Sequence, residues 1–391
     1  MNLINLRSPL QTDSTKIDTN SIQRTIMNAA EIGIGIVGTG FGQKVHIPAF
    51  QAHHRTRVVA VYHRDAEKAA AIAQTYEIPH ACTDLDALIA LPEVQGVSIS
   101  TPPFLHYPMA KAVLQAGKHL LLEKPTALNA AEARELETLA QRHNCVTTMS
   151  FEFRCIPAWL QLAQLLAEGY VGNTRLIKVD WLVSSRADAS RPWNWYAQKD
   201  LGGGALGAIG SHTFDYIAWL FGRIRRLSAR LSVSVPDRPD PASGGRLRPV
   251  DADDTCLIMA ELVDGTPCQI TLSAATYQGR GHWLEVYGDR GTLVLGSSNQ
   301  KDYVHGFQLW GSQQGEPLTE LPIPAELEFP RTWDDGRIAP FVRLVDRWVQ
   351  GMEQGDRSLV PSLTEGVYSQ RLMDLAQESN LTGTWVEVPL G

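Results

Sequence analysis

Lys124 and His212 are the side chains of this 391-residue sequence best suited to moving a proton. Lys124 stands in Glu123-Lys124-Pro125, directly after the apolar run Lys118 to Leu122. An ammonium there can hydrogen-bond a hydroxyl or carbonyl oxygen and help its proton leave or arrive. His212 lies in a glycine-rich stretch from Gly202 to Tyr216. An imidazole titrates near neutrality, which suits general acid–base work on an alcohol or a carbonyl. From about Ala205 to Leu220 the spacing is helical, so positions 208, 212 and 215 share a face and Asp215 could orient the ring. Plainer readings remain open. Lys124 could pair with Glu123 at the surface, and His212 could be a helix-packing histidine.

A second kind of chemistry sits in residues 31 to 44, EIGIGIVGTGFGQK. Ile32, Ile34, Ile36 and Val37 make an apolar run of buried-strand length. It ends at Gly38-Thr39-Gly40-Phe41-Gly42, after which the pattern turns helical. A strand feeding a glycine turn and then a helix is the phosphate-binding half of a dinucleotide site. The glycines let the backbone approach a pyrophosphate, and the helix end offers free N–H groups. Gly33 to Gly38 matches G-x-G-x-x-G letter for letter, but it lies inside the strand, where no helix end is available. In the later register Gln43 takes the third glycine place, so a βα turn without a ligand competes with the functional reading. A second apolar run, Arg57 to Tyr62, ends about 20 residues on, where a strand should meet the adenosine ribose. An acidic residue there favours NAD. This chain has His63-Arg64, and an arginine can pair with a 2′-phosphate. The expectation is NADP(H), with NAD(H) as the second choice and Arg64 as the discriminating residue. An arginine that only meets solvent is the alternative.

The elements that must position these groups follow from pattern. Residues 31 to about 150 alternate apolar runs with helical segments, the signature of a doubly wound parallel sheet. Expected helices span Asp65 to Tyr76, Thr83 to Ala90 with Thr83 as N-cap, His106 to Gln115, and Asn129 to about His143. Strands are expected at Gly96 to Ser100 and Val146 to Met149. All ten tryptophans lie at or beyond Trp159, which places a domain boundary near 150. Beyond it, strands are expected at 175–183, 227–235, 255–262, 269–275, 282–287 and 292–295, with neighbours pairing antiparallel. Residues 236–254, rich in Pro, Asp, Gly and Arg, read as a mobile loop. Phe341 to Met352 and Ser362 to Ser379 read as closing helices. Residues 1–30 are polar and read as a disordered extension.

Composition excludes several classes. Hydrophobic content of 44% and charged content of 20% are ordinary for a globular chain. The net charge of −7 argues against nucleic acid as partner. No apolar stretch is long enough to span a bilayer. Five cysteines without CxxC spacing fit a reducing cytoplasm and suggest neither a disulfide frame nor a metal site.

Taken in order, Gly38 to Gly42, Ser100-Thr101-Pro102-Pro103 with His106, Gly117 to Pro125 and Gly202 to Asp215 resemble the glucose–fructose oxidoreductase / inositol dehydrogenase (Gfo/Idh/MocA) family over about residues 31 to 380. The resemblance implies an N-terminal Rossmann domain (31–150) and a C-terminal α/β domain (151–391). The latter would carry a large, open, mainly antiparallel sheet that often forms the oligomer interface, giving a dimer or tetramer. It implies hydride transfer to or from a secondary carbon of a sugar, sugar derivative or polyol. Lys124 and His212 would stand at the reacting carbon, with a cis bond before Pro125. Thr101, Pro102, His106, Glu123 and Lys124 join the glycine turn, His63 and Arg64 as expected cofactor contacts. Arg154, Trp193 and Trp195 are weaker candidates for the substrate wall, since sugar C–H faces pack on aromatic rings. Many members carry Asp four residues before the histidine; here it is Ala208. An alanine cannot pass a proton, so the relay would run through Lys124, His212 and water. A binding-only sensor and a reductase of a non-sugar carbonyl or tetrapyrrole stay open as alternatives, because the family includes both a transcriptional sensor and a biliverdin reductase.

Overall fold

The computed structural model describes residues 31–299 and 305–389. The expected extension at residues 1–30 lies outside the described residues. Six strands form a wholly parallel sheet: β1 (Ile32–Val37), β2 (Thr56–Tyr62), β3 (His80–Cys82), β4 (Gly96–Ile99), β5 (His119–Leu122) and β6 (Thr147–Met149), in the order β3-β2-β1-β4-β5-β6. Connecting segments include α1 (Ile47–Ala52), α2 (Ala66–Thr75), α3 (Leu85–Ala90), α4 (His106–Gln115) and α5 (Ala130–Arg142). Side-chain caps set several of their starts. Asp65 accepts from Lys68 N–H, and Asn129 accepts from Glu132 N–H at 3.0 Å. α3 is capped by Asp84, not by Thr83; the Asp84 carboxylate reaches Asp86 N–H at 3.2 Å, a contact open to either residue type.

Register decides where the chemistry lies. Val37 pairs with Tyr62 and with Ile99, Ile99 with Leu122, and Leu122 with Met149. Five strands therefore end along one edge. The residues that follow them are Gly38, His63-Arg64, Ser100-Thr101, Glu123-Lys124 and, just beyond β6, Glu152. This carboxyl edge is where an open α/β sheet binds ligands.

The second sheet has nine strands. In chain order they are β7 (Thr174–Leu182), β8 (Ile224–Ser232), β11 (Thr255–Leu262), β12 (Pro267–Ser273), β13 (Gly281–Gly288), β14 (Gly291–Ser297), β15 (Gln308–Gln313), β16 (Thr319–Glu320) and β17 (Val386–Glu387). Their spatial order is β16-β15-β14-β13-β7-β12-β11-β8-β17. All pairs are antiparallel except β12 with β7, which run parallel, so the sheet is mainly antiparallel as expected. β7 is inserted between β12 and β13, a long-range placement that no local turn encodes.

Residues 236–254 are not an irregular loop. β9 (Asp237–Asp240) and β10 (Arg246–Pro249) form an antiparallel hairpin. Arg238, 5% exposed, ties it down by donating to the Asp188 and Arg186 carbonyls at 2.7 and 2.6 Å. The charged and proline-rich composition concealed the strands.

One face of the second sheet is covered by α6 (Pro157–Ala167), α7 (Ser211–Phe221) and α9 (Leu363–Thr382), whose buried side chains join those of the sheet in one core. α9 also packs on α5, with Ala130 N–H donating to Asp374, so it braces both sheets. α8 (Ile338–Gln354) turns back to the first sheet. Its Phe341, Leu344, Val345 and Trp348 fill the cluster around Ile34, Ile36 and Phe50. A cut at residue 150 thus separates the sheets but not their coverings. No helix among the described residues is long and apolar enough to cross a membrane.

Candidate active site

The glycine turn is shaped for close approach. Gly38 has φ +105°, and a Cβ there would sit 2.6 Å from the Ser100 carbonyl carbon. A Cβ on Gly42 would collide with Ser100 Oγ. Both glycines let β1 and β4 meet beneath the turn. Gly40 has nothing within 4 Å and faces open space. The helix that follows opens with a π-turn over Gly42–His46 before α1 begins. Gly38, Thr39, Gly40 and Phe41 line a cavity of about 850 Å³. This backbone cradle fits a dinucleotide, with N–H groups available at the turn.

His63, Arg64, Thr101, Pro102, Glu123 and Lys124 line the same cavity. Arg64 is exposed, and among the described residues no carboxylate pairs with it. His106 is absent from the lining and fully buried. Its ring nitrogens each lie 2.7 Å from a carbonyl oxygen, of Pro125 and of Thr101, so it staples the two loops rather than touching a ligand. Gly42 likewise supports the turn from behind. The Lys124–Pro125 bond is cis.

Glu123 is held from below. His46 Nε2 lies 3.2 Å from its Oε1, and His46 Nδ1 lies 2.8 Å from Ser98 Oγ. Burial alone would raise this carboxyl, but the His46 contact and the Lys124 charge outweigh it and hold Glu123 below its ordinary value. Lys124 is not tied to that carboxylate through its ammonium. Its Nζ donates to the Ala208 carbonyl at 3.3 Å, across to the segment carrying His212.

His212 lines the cavity and is 4% exposed. Phe153 and Phe151 meet its ring edge to face, with centroids at 4.9 and 5.9 Å. Burial first, then the positive charge of Lys124 and the neighbouring His282, push its pKa well below the ordinary value. The imidazole is therefore neutral at physiological pH and able to take a proton. Ser369 on α9 donates to the Ser211 carbonyl at 2.9 Å and fixes the backbone beside it.

Three expected contacts fall elsewhere. Asp215 does not orient His212. Its two oxygens bind Arg154 at 2.6 and 2.9 Å, and His212 Nδ1 is left without a partner. A π-turn over Leu206–Gly210 precedes α7, so Ala208 and His212 both reach the cavity. Three further residues of α-helix leave Asp215 about 60° round, toward Arg154. Arg154 is consequently a structural ion-pair partner outside the lining, also lying 5.6 Å from the Trp219 ring. Trp193 is outside too; its Nε1 donates to the Pro249 carbonyl at 3.0 Å, and Arg248 stacks on it at 3.5 Å. Trp195 does line the cavity.

Sequence reasoning missed Glu152, Arg186, Tyr196 and Arg337, all of which line the cavity. Arg186 stacks on Tyr196 at 3.7 Å. Glu152 is 8% exposed, its Oε1 lies 4.0 Å from His212 Nε2, and its Oε2 has no partner. Burial and the negative charge of Glu123, opposed by Lys124, raise its pKa to about 8. Only its place after β6, at the shared sheet edge, could have signalled it.

Residues 32–151 match the family described as "Oxidoreductase family, NAD-binding Rossmann fold", and residues 163–388 match its "C-terminal alpha/beta domain". An uncharacterized oxidoreductase of Synechocystis sp. is 52% identical over 356 residues, covering 91% of this chain and 96% of that protein. The levoglucosan dehydrogenase of Pseudarthrobacter phenanthrenivorans is 27% identical, covering 92% of this chain and 98% of that one. Among solved structures, an oxidoreductase domain protein from Kribbella flavida superposes with TM-score 0.83 at 26% identity, over 92% of this chain and all of that one. An NAD binding oxidoreductase from Klebsiella pneumoniae does so with TM-score 0.82 at 27% identity, over 93% of this chain and all of that one. With both halves matched in order, and with the glycine turn, Lys124 and His212 facing one cavity, this chain belongs to the Gfo/Idh/MocA family of oxidoreductases with an NAD-binding Rossmann fold.

Proposed function

We propose that the protein is an NADP(H)-preferring dehydrogenase that interconverts a secondary alcohol and a ketone on a sugar, sugar derivative or polyol. The observation that carries this reading is the single cavity faced by the Gly38–Phe41 turn, Lys124 and His212. When bound, the nicotinamide supplies the hydride acceptor or donor. The turn and Arg64 would hold the dinucleotide, and Arg64 supports a preference for the 2′-phosphate because it is exposed at the end of β2. Lys124 hydrogen-bonds the substrate oxygen. His212, neutral through burial, takes the hydroxyl proton in oxidation and returns it in reduction. Trp195 and the stacked Arg186–Tyr196 pair offer flat faces for sugar C–H groups. The levoglucosan dehydrogenase relative makes sugar derivatives the first substrates to try.

The exposed face of the second sheet, with Leu257 and Met259 alternating along β11 at 50% and 52% exposure, supports assembly into a homo-oligomer. Light scattering of the purified protein measures that directly. For the chemistry, purified protein is mixed with NADP⁺ or NAD⁺ and a panel of sugars and polyols, and the absorbance of reduced nicotinamide is followed. Turnover that prefers NADP⁺ and is lost in Lys124→Ala is the expected result. Full turnover in Lys124→Ala would refute the catalytic role of that lysine, and cofactor binding without turnover on any member would favour a binding-only sensor.

A further inference from the structure

Position 208 is the place from which a carboxylate would meet His212, and here it is alanine. The structure nevertheless holds one unpaired carboxylate against that imidazole, supplied by a different element. Glu152 comes from the segment after β6, is buried, lines the cavity, and faces His212 Nε2 from 4.0 Å. Its Oε2 is an unpartnered buried oxygen. A buried carboxylate without a partner is costly and calls for a reason. The gap to His212 is just beyond hydrogen-bond distance, as catalytic contacts often are before a ligand closes them.

We propose that Glu152 is the proton-exchange partner of His212, doing from the end of β6 what Ala208 cannot do from the helix. The proposal rests on the dehydrogenase reading above. In oxidation the substrate C–H bond breaks with its electron pair going to the oxidised nicotinamide. The O–H pair becomes the second bond of the carbonyl, and the hydroxyl proton goes to His212. His212 then passes a proton to the Glu152 carboxylate, which releases it to solvent in the cavity, and the imidazole is neutral again. Reduction runs the same steps backwards, with the Glu152 carboxylic acid as proton source. The groups facing this pair are Glu123 and Lys124 from the end of β5, His282 from β13, and Arg337 ahead of α8. Against them, a Glu152 carboxyl that titrates at about 8 is loaded for reduction at neutral pH and emptied for oxidation as pH rises.

The test compares wild type, Glu152→Gln, and Glu152→Gln combined with Ala208→Asp, using the best alcohol of the panel. Oxidation by wild type should rise in kcat across the range around pH 8. Glu152→Gln should lose about 100-fold in kcat and lose that rise, with cofactor Kd changed less than about twofold. Adding Ala208→Asp should recover at least about tenfold. A Glu152→Gln enzyme that keeps the wild-type kcat, or loses rate while keeping the alkaline rise, overturns the proposal. A second readout needs no turnover. With labelled histidine, the His212 resonance of wild type should inflect near pH 8 as Glu152 ionises, and the inflection should vanish in Glu152→Gln. Absence of the inflection in wild type overturns the proposal by itself. Its presence in a protein that oxidises nothing would leave the pair standing and sink the dehydrogenase reading.

Discussion

Removing Asp215 should unfold the protein more than it disarms it. The Arg154 side chain is 13% exposed, that of Asp215 is 2% exposed, and two charge-assisted hydrogen bonds of 2.6 and 2.9 Å join them. Asp215→Ala removes the hydrogen-bonded partner of a buried guanidinium, leaving the Trp219 ring and the more distant charge of Glu365 near it. Breaking a buried pair from one side costs about 3–5 kcal/mol, because the remaining charge has lost both water and partner. Replacing both, as Arg154→Met with Asp215→Leu, should recover most of that loss, since no charge is then left to desolvate. The assay is urea unfolding followed by tryptophan fluorescence. Burial, against the pull of Arg154, raises the Asp215 carboxyl to about 6, so the measurement is made well above that value, where the carboxylate is charged. Under native conditions the folded fraction of Asp215→Asn should keep the kcat pH profile of wild type, because Asp215 does not touch His212. A loss below about 1 kcal/mol in Asp215→Ala, or an altered pH profile in Asp215→Asn at unchanged stability, would refute this assignment and return Asp215 to the role of ring orienter.

Three other perturbations have defined outcomes. Arg64→Ala should weaken NADPH binding by about 10- to 100-fold in fluorescence titration and leave NADH within about twofold, as expected for loss of one charge-assisted phosphate contact. Gly38→Ala should abolish dinucleotide binding in the same titration, because the new Cβ meets Ser100 backbone at 2.6 Å in a left-handed conformation. Glu152→Gln should become more stable relative to wild type as pH rises. The folded carboxyl titrates at about 8 against an ordinary value of 4.5, so its penalty is absent below the lower value, grows between the two and is complete above the upper one. The ceiling is about 5 kcal/mol, read as the difference in unfolding free energy between pH extremes; a constant difference across pH would contradict it.

Much of the first sheet was legible because each strand ends at a residue type that announces the end: glycines after Val37, Pro102-Pro103 after Ile99, Lys124-Pro125 after Leu122. The bounds of α4, His106 to Gln115, are those its spacing predicts, and α9 starts at the expected Ser362, whose side chain caps it. What escaped depends on distance along the chain. Glu152 reads as an isolated acid between two phenylalanines until β6 is set beside β5 and His212 arrives from 60 residues away. Asp215 was misassigned because helical spacing places a side chain by angle and says nothing about an arginine 61 residues earlier waiting on that side. The parallel join of β7 and β12 is a fact of topology, and hairpin β9–β10 is written in residues whose usual habit is loop.

α8 gives the chain a consequence in time. The face of the first sheet that includes Ile34 and Ile36 packs with Phe50 of α1 and with Phe341 and Trp348 of α8, and Trp348 Nε1 donates to the Val146 carbonyl at 3.2 Å. During synthesis, that face and its partial cover by α1 and α2 are made within the first 150 residues, and α8 follows nearly 200 residues later. His46, which holds Glu123 in place, stacks on Phe341 at 4.2 Å and waits with it. The nucleotide-binding half is thus translated well before the helix that completes this apolar flank, and α9 and β17 follow that helix. A chain that stops short of α8 carries its glycine turn on a sheet whose Ile34–Ile36 face lacks Phe341, Leu344 and Trp348.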